Sequence, residues 1–233
     1  MSDPVERLNA ALGSLGKNRR VLPLIIGSLL LPLGWGCNDD PTGPTDPFCS
    51  SQPASAIVTF EDANLQVEIR AALGIGAQED LTCGLVSGLT TLAAPFAGIM
   101  ILAGIENLAT LTTLNLDGNS LFDISDLSGL TNLTALSLRN NSITNLGPLS
   151  GLTSLATLDL YNNLIIDISA LRELTSLTLL NLGFNSILGD IQPLLDNTGL
   201  GASDTVDLTG TSVSCADVNA LGAKGVAVTS DCV

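Results

Sequence analysis

Between residues 89 and 211 the apolar positions fall into columns. Leu92, Leu114, Leu136, Leu158 and Leu180 recur at steps of 22 residues. Leu116, Leu138, Leu160 and Leu182 form the next column, headed by Ala94. The L-x-L phrase alternates with period two, so each copy predicts a short strand whose leucines face a common core. Further inward positions follow each strand: Leu121, Ile143, Ile165 and Ile187, then Ile124, Leu146 and Ile168. Leu127, Leu149 and Leu171 come next, and Leu130, Leu152 and Leu174 close the turn. A fixed period in the twenties predicts a stack of coils, each burying its apolar face on its neighbours, with the strands in one parallel sheet.

Each phrase ends on an asparagine: Asn119, Asn141, Asn163 and Asn185. An amide both donates and accepts, so an inward Asn at this point predicts satisfaction of backbone groups where the chain leaves the strand. The four form a structural ladder rather than a ligand set. The resulting pattern, LxxLxLxxNxIxxIxxL, resembles leucine-rich repeat proteins of the 22-residue, internalin-like bacterial class, over roughly residues 56–233. That resemblance implies an α/β solenoid with a short-stranded parallel concave sheet, an irregular or 3-10 convex side, and a helical cap at each end.

Segment 57–73 predicts the N-terminal capping helix, with Leu65, Ile69 and Leu73 on one face and Gly74 as its stop. Residues 89–105 are a degenerate first coil, with Ala97 where the Asn would stand. At the far end the register stretches. Val206-Asp207-Leu208 follows Leu180-Asn181-Leu182 by 26 residues, which implies one residue inserted near Gly189 and three within 196–203. Thr211 replaces the Asn. Segment 214–225 predicts a short helix, and VAVTSDCV a last strand-like edge. The divisions expected are 1–36 signal peptide, 37–54 tether, 55–88 N-terminal cap, 89–211 repeats and 212–233 C-terminal cap.

Residues beside the leucines point outward in three columns. The middle one reads Asn115, Ser137, Asp159, Asn181, Asp207, and the third Asp117, Arg139, Tyr161, Gly183, Thr209. With strands about 4.8 Å apart, Arg139 falls between Asp117 and Tyr161, with Asp159 diagonal to it. Arg and Tyr are the residues that most often carry binding energy at interfaces. Asp117, Arg139, Asp159, Tyr161 and Phe184 are therefore the candidate ligand-binding set. An ordinary solvated face is the alternative.

Charge narrows the partners. The chain carries 8 basic and 23 acidic residues, a net −15. Beyond the first 36 residues the only bases are Arg70, Arg139, Arg172 and Lys224, too scattered for the phosphate binding that needs clustered Lys and Arg, so no nucleic-acid partner is expected. The 233 residues contain no His, which removes the commonest general base and metal ligand. No G-x-S-x-G elbow or Gly-rich phosphate loop is present. No enzyme activity, cofactor or metal site is expected; calcium binding through Asp123, Asp126 and Asp167 is a weaker alternative.

Lys17, Arg19 and Arg20 precede an apolar run at 21–36, which ends at Cys37. The run is shorter than the ~20 residues a membrane-spanning helix needs and reads as an export signal. With Gly36 before the cysteine, it resembles a bacterial lipoprotein signal. That resemblance implies cleavage and lipidation at Cys37, and Asn38, rather than Asp, next to it implies the outer membrane. Ordinary signal cleavage and an uncleaved anchor are the alternatives. Residues 38–54, rich in Pro, Asp, Ser and Thr, read as a flexible tether. Cys49, Cys83, Cys215 and Cys232 remain, an even number suited to an oxidising compartment. Of three possible pairings, Cys49–Cys83 and Cys215–Cys232 close local loops. The functional expectation is a lipid-tethered envelope module that binds an unknown protein or peptide through its concave sheet. A structural spacer without a specific ligand is the alternative.

Overall fold

The computed structural model describes residues 48–232; the signal segment, Cys37 and most of the tether lie outside them. Seven three-residue strands form one parallel sheet in sequence order: β1 Thr91–Ala93, β2 Thr113–Asn115, β3 Ala135–Ser137, β4 Thr157–Asp159, β5 Leu179–Asn181, β6 Thr205–Asp207 and β7 Ala227–Thr229. The registers pair Leu92 with Leu114, Leu136, Leu158 and Leu180 in turn, then Val206 and Val228. The leucine columns are thus inter-strand neighbours, and from Leu92 to Val206 each is at most 1% exposed. Each buried leucine contributes on the order of 2 kcal/mol by removal from water.

Opposite the sheet, the chain turns through single 3-10 turns at Ile105–Asn107, Ser125–Leu127, Gly147–Leu149 and Ser169–Leu171. Each of these buries its apolar residue in the same core. The short turn follows from the spacing: an inward residue every three positions matches the three-residue 3-10 repeat.

Helix α1 spans Ala63–Leu73, six residues shorter than the 57–73 expected. Asp62 sets the boundary. Its backbone is extended and its side chain accepts the Asn64 and Leu65 N–H groups, which makes it the N-cap. The residues ahead of it alternate instead, with Val58 and Phe60 buried and Thr59 exposed, and Ile57 bridges Thr82 antiparallel. Leu65 and Ile69 are fully buried against the first coil, and Gly74 ends the helix at φ +67°. A four-residue helix, α2, follows at Cys83–Val86.

The inserted residues are accommodated in the fifth coil. Ile187, expected inward, is 52% exposed, and Leu188 is buried in its place. The extra residue therefore lies just before Leu188, close to Gly189 but ahead of the inward position rather than after it, and it shifts the later positions by one. Ile191 and Leu194 continue the inward series within and beside α3, Gln192–Asp196, which replaces a 3-10 turn. Where earlier coils carry Leu130, Leu152 and Leu174, this one carries Asn197. It is fully buried: its amide donates to the Leu171 and Leu174 carbonyls and accepts from Gly199 and Leu200. Lys224, after helix α4 (Cys215–Ala223), reaches the Leu194, Leu195 and Asn197 carbonyls at the C-terminal end of α3. A cation there satisfies carbonyls that the helix leaves unpaired. The structure joins Cys49 to Cys83 and Cys215 to Cys232, with Cα–Cα distances of 5.2 and 5.5 Å. Residues 48–52, assigned to the tether by sequence, form a turn held by the first bond and by Cys49 N donating to Asn107 Oδ1.

Candidate functional site

Two columns of polar side chains fix the outer face before any ligand is considered. The inner one is the asparagine ladder. Asn163 accepts from Ile143 N and donates to Leu138 O and Leu160 O. Asn119, Asn141 and Asn185 repeat these three contacts one coil at a time. Thr211 keeps only the local bond, to Leu208 O.

The second column ends each strand. Asn115, Asp159, Asn181 and Asp207 each accept the N–H two residues on, from Asp117, Tyr161, Gly183 and Thr209. These Asx turns swing the chain off the sheet. Ser137 is too short for the same bond. Asp117, one coil earlier, supplies the missing acceptor, taking both Arg139 N and Ser137 Oγ. Sequence reading placed this column on the outer face but missed its turn-forming role, of which the recurring Asn or Asp two residues before the turn is the signature.

With that frame in place, the candidate residues come together on one patch. The Arg139 guanidinium lies 4.8 Å from the Tyr161 ring centroid and 3.3 Å from Asp159 Oδ2. Tyr161 and Phe184 have ring centroids 5.1 Å apart at 49°. Arg139, Tyr161 and Phe184 thus form a continuous contact chain across three coils. Asp159 lies beneath it and Asp117 beside it, the latter engaged with the Arg139 N–H and the Ser137 hydroxyl rather than with the guanidinium. Burial pushes the Asp159 carboxyl above its ordinary value, and the nearby Asp117 charge adds to this. The Tyr161 N–H, Arg139 and Asn181 work in the opposite direction.

One more column borders the patch. The residue before each ladder asparagine has positive φ: Gly118 at 65°, Asn140 and Asn162 at 53°, Phe184 at 58°; so have Phe96 at 56° and Gly210 at 69°, before Ala97 and Thr211, which stand in the asparagine's place. Gly and Asn suit this left-handed conformation, whereas a phenylalanine there is strained. The Phe96 ring covers Gly118, where any Cβ would overlap it, and the Phe184 ring lies over Gly210.

A concavity lies elsewhere, beside the Cys49–Cys83 bond. It holds about 330 Å³ and is lined in part by Ile57, Glu61, Gly104, Glu106 and Asn107. Glu106 accepts Gly104 N there, and Asn107 bridges Cys49 N and Gly104 O. Among the described residues no group of three His, Cys, Asp or Glu side chains is placed to hold a metal ion. Asp123 and Asp167, the calcium candidates beside Asp126, instead accept Ser125 N and Ser169 N in local turns. No helix among the described residues is long and apolar enough to cross a membrane.

Residues 131–173 match the family described as Leucine Rich repeats (2 copies). Solved structures add to this. The chain is similar to an internalin of Listeria monocytogenes, inlF, at 34% identity and a TM-score of 0.66, over 75% of this chain and 52% of that one. It is also similar to the functional domain of InlJ from the same organism, described as including a cysteine ladder. There the identity is 26% and the TM-score 0.57, over 72% and 41% of the two chains. A TDR receptor aligns at 26% identity and a TM-score of 0.50, over 56% and 24%. The chain spans about half of the inlF structure's length and less of the others. None of the curated proteins matches this chain. The fold is a leucine-rich repeat solenoid, internalin-like in its repeats.

Proposed function

We propose that this chain is a non-catalytic leucine-rich repeat module that engages a protein or peptide through the outer face of its sheet. Arg139, Tyr161 and Phe184 are the anchor, and Asp117 and Asp159 hold that anchor in place. The contact chain Arg139–Tyr161–Phe184 carries the reading: a guanidinium and two rings gathered on a face whose other residues are mostly small and polar. Such groups dominate interface energetics. Leucine-rich repeat proteins of this kind are interaction modules, which supports a binding role. A lipid on Cys37 would tether the module at the cell envelope, on the outer membrane, and the two disulfides fit an extracytoplasmic setting.

The experiment is affinity capture from envelope extracts with the wild type and with an Arg139→Glu/Tyr161→Ala double variant. The expected result is a partner retained by the first and lost by the second. Recovery of the same proteins by both, or of none by either, returns the chain to the spacer reading. Cys37→Ser is expected to release the protein from membranes; unchanged membrane association would remove the lipid anchor.

A further inference from the structure

The strained column beside the patch has the layout of a second recognition surface. Phe96 and Phe184 are 76% and 49% exposed, and both hold a backbone conformation that glycine or asparagine occupies at lower cost. Neither ring fills the core: each lies on a glycine of the next coil, Phe96 otherwise largely exposed and Phe184 flanked on its other side by Tyr161 with about half of its surface exposed. Between the rings stand Asn140 and Asn162. Asn162 Nδ2 donates to Asn140 Oδ1 at 2.9 Å, and the pair retains one amide donor and one amide acceptor with no protein partner. One donor and one acceptor a strand spacing apart match the N–H and C=O of a peptide backbone.

Charge selects the occupant. Of the 23 acids, five precede residue 48, leaving 18 against four bases: Arg70, Arg139, Arg172 and Lys224. All four bases are engaged internally. Arg70 donates to the Gly76 and Glu79 carbonyls, Arg172 pairs with Asp196, and Lys224 holds three carbonyls. Arg139 is held by Asp159 and the Tyr161 ring. Asp117 flanks the column at Gly118, and Asp231 accepts Gly210 N beside the Phe184 ring. A complementary chain must therefore bring positive charge, and an aromatic face next to a carboxylate suits a Lys or Arg side chain. Phe96 and Phe184 are separated by four strand spacings, on the order of 19 Å, which an extended segment of about six residues spans.

We infer that the column Phe96–Asn140–Asn162–Phe184 docks an extended, basic peptide segment of the partner, its backbone on the amide pair and its ends on the two rings. This rests on the reading that the outer face binds protein, and it shares Phe184 with that face.

The test is fluorescence anisotropy of the full-length chain against a labelled hexapeptide of alternating Lys and Leu, with the Glu–Leu counterpart as control. Binding is expected for the basic peptide and at least ten-fold weaker binding for the acidic one. A Phe96→Gly/Phe184→Gly variant removes the rings and relieves the strain. It is expected to keep or raise the melting temperature while weakening the basic peptide at least ten-fold, and Asn140→Ala/Asn162→Ala is expected to weaken it several-fold. Equal binding of the acidic peptide, no binding of the basic one, or double-glycine binding within two-fold of wild type overturns the inference. Should the captured partner depend on Arg139 and Tyr161 while Phe96→Gly and Asn140→Ala/Asn162→Ala, which leave the anchor intact, bind it normally, the outer-face reading stands and this one falls.

Discussion

Two neighbouring columns teach opposite lessons. Asn119, Asn163 and Asn185 are buried, and every ladder Asn makes the same three kinds of bond. One residue earlier, Phe96, Gly118, Asn140, Asn162, Phe184 and Gly210 share a backbone conformation but no common side chain. The inner column is fixed because a buried peptide group left without a partner costs more than any side chain there could recover. The outer column is held by its backbone: Asn140, Asn162 and Phe184 donate their N–H to Tyr161, Gly183 and Thr209 carbonyls in turn. Its side chains are therefore free to differ. Where conformation and side chain disagree, as at Phe96 and Phe184, the disagreement is informative.

The sharpest way to break this contrast is Asn163→Ala. It strands the Ile143 N–H and two carbonyls in the core, and a loss of about 3 kcal/mol is expected in urea unfolding. A change below about 1 kcal/mol would mean that the ladder does not set the register. Loss of the Cys215–Cys232 bond by double Ser substitution is expected to cost slightly less, on the order of 2–3 kcal/mol; thermal melts with and without reductant check it. Asp62→Ala, which removes the carboxylate that accepts four backbone N–H groups, is expected to cost about 1–2 kcal/mol.

The next test separates two carboxyls by pH. Burial raises the Asp62 carboxyl, but the Met100, Leu65, Ile101 and Asn64 N–H groups outweigh it and hold the group below its ordinary value. Its stabilisation is present above the unfolded value and lost as pH falls through the folded one, so Asp62→Asn should flatten the acid limb of stability against pH. Asp159 is shifted upward, so its contribution is complete below the unfolded value and disappears as pH rises through the folded one. Asp159→Asn should leave stability at neutral pH equal or slightly higher while loosening Arg139. Unfolding curves between pH 3 and 7 distinguish the two, and parallel curves for both variants would contradict the assignment.

Much of this was legible beforehand. The leucine spacing specified the sheet, its order and the ladder, because burial repeats with the chain and each coil faces an identical neighbour. The helix start at Ala63 was not legible from apolar spacing, since Ile57, Val58 and Phe60 fit a helical face as well as an alternating strand. Local capping by Asp62 decided it. The phase slip was misplaced because Ile187 and Leu188 are both apolar and only packing distinguishes them. Arg139, Tyr161 and Phe184 could be placed side by side from register alone. The role of Asp117 could not, because it arises from a single exception, Ser137, in an otherwise regular column of acceptors.

The parallel register has one more consequence. Thr113, Ala135 and Thr157 are inter-strand neighbours at 22-residue steps, so one whole coil can be excised or duplicated without disturbing the pairing on either side. Each such event would move Phe96 and Phe184 closer or further apart by one strand spacing, ~4.8 Å. The array is thus a ruler with integer graduations. Its repeat number, which stability alone leaves open, sets the length of segment that fits between the two rings.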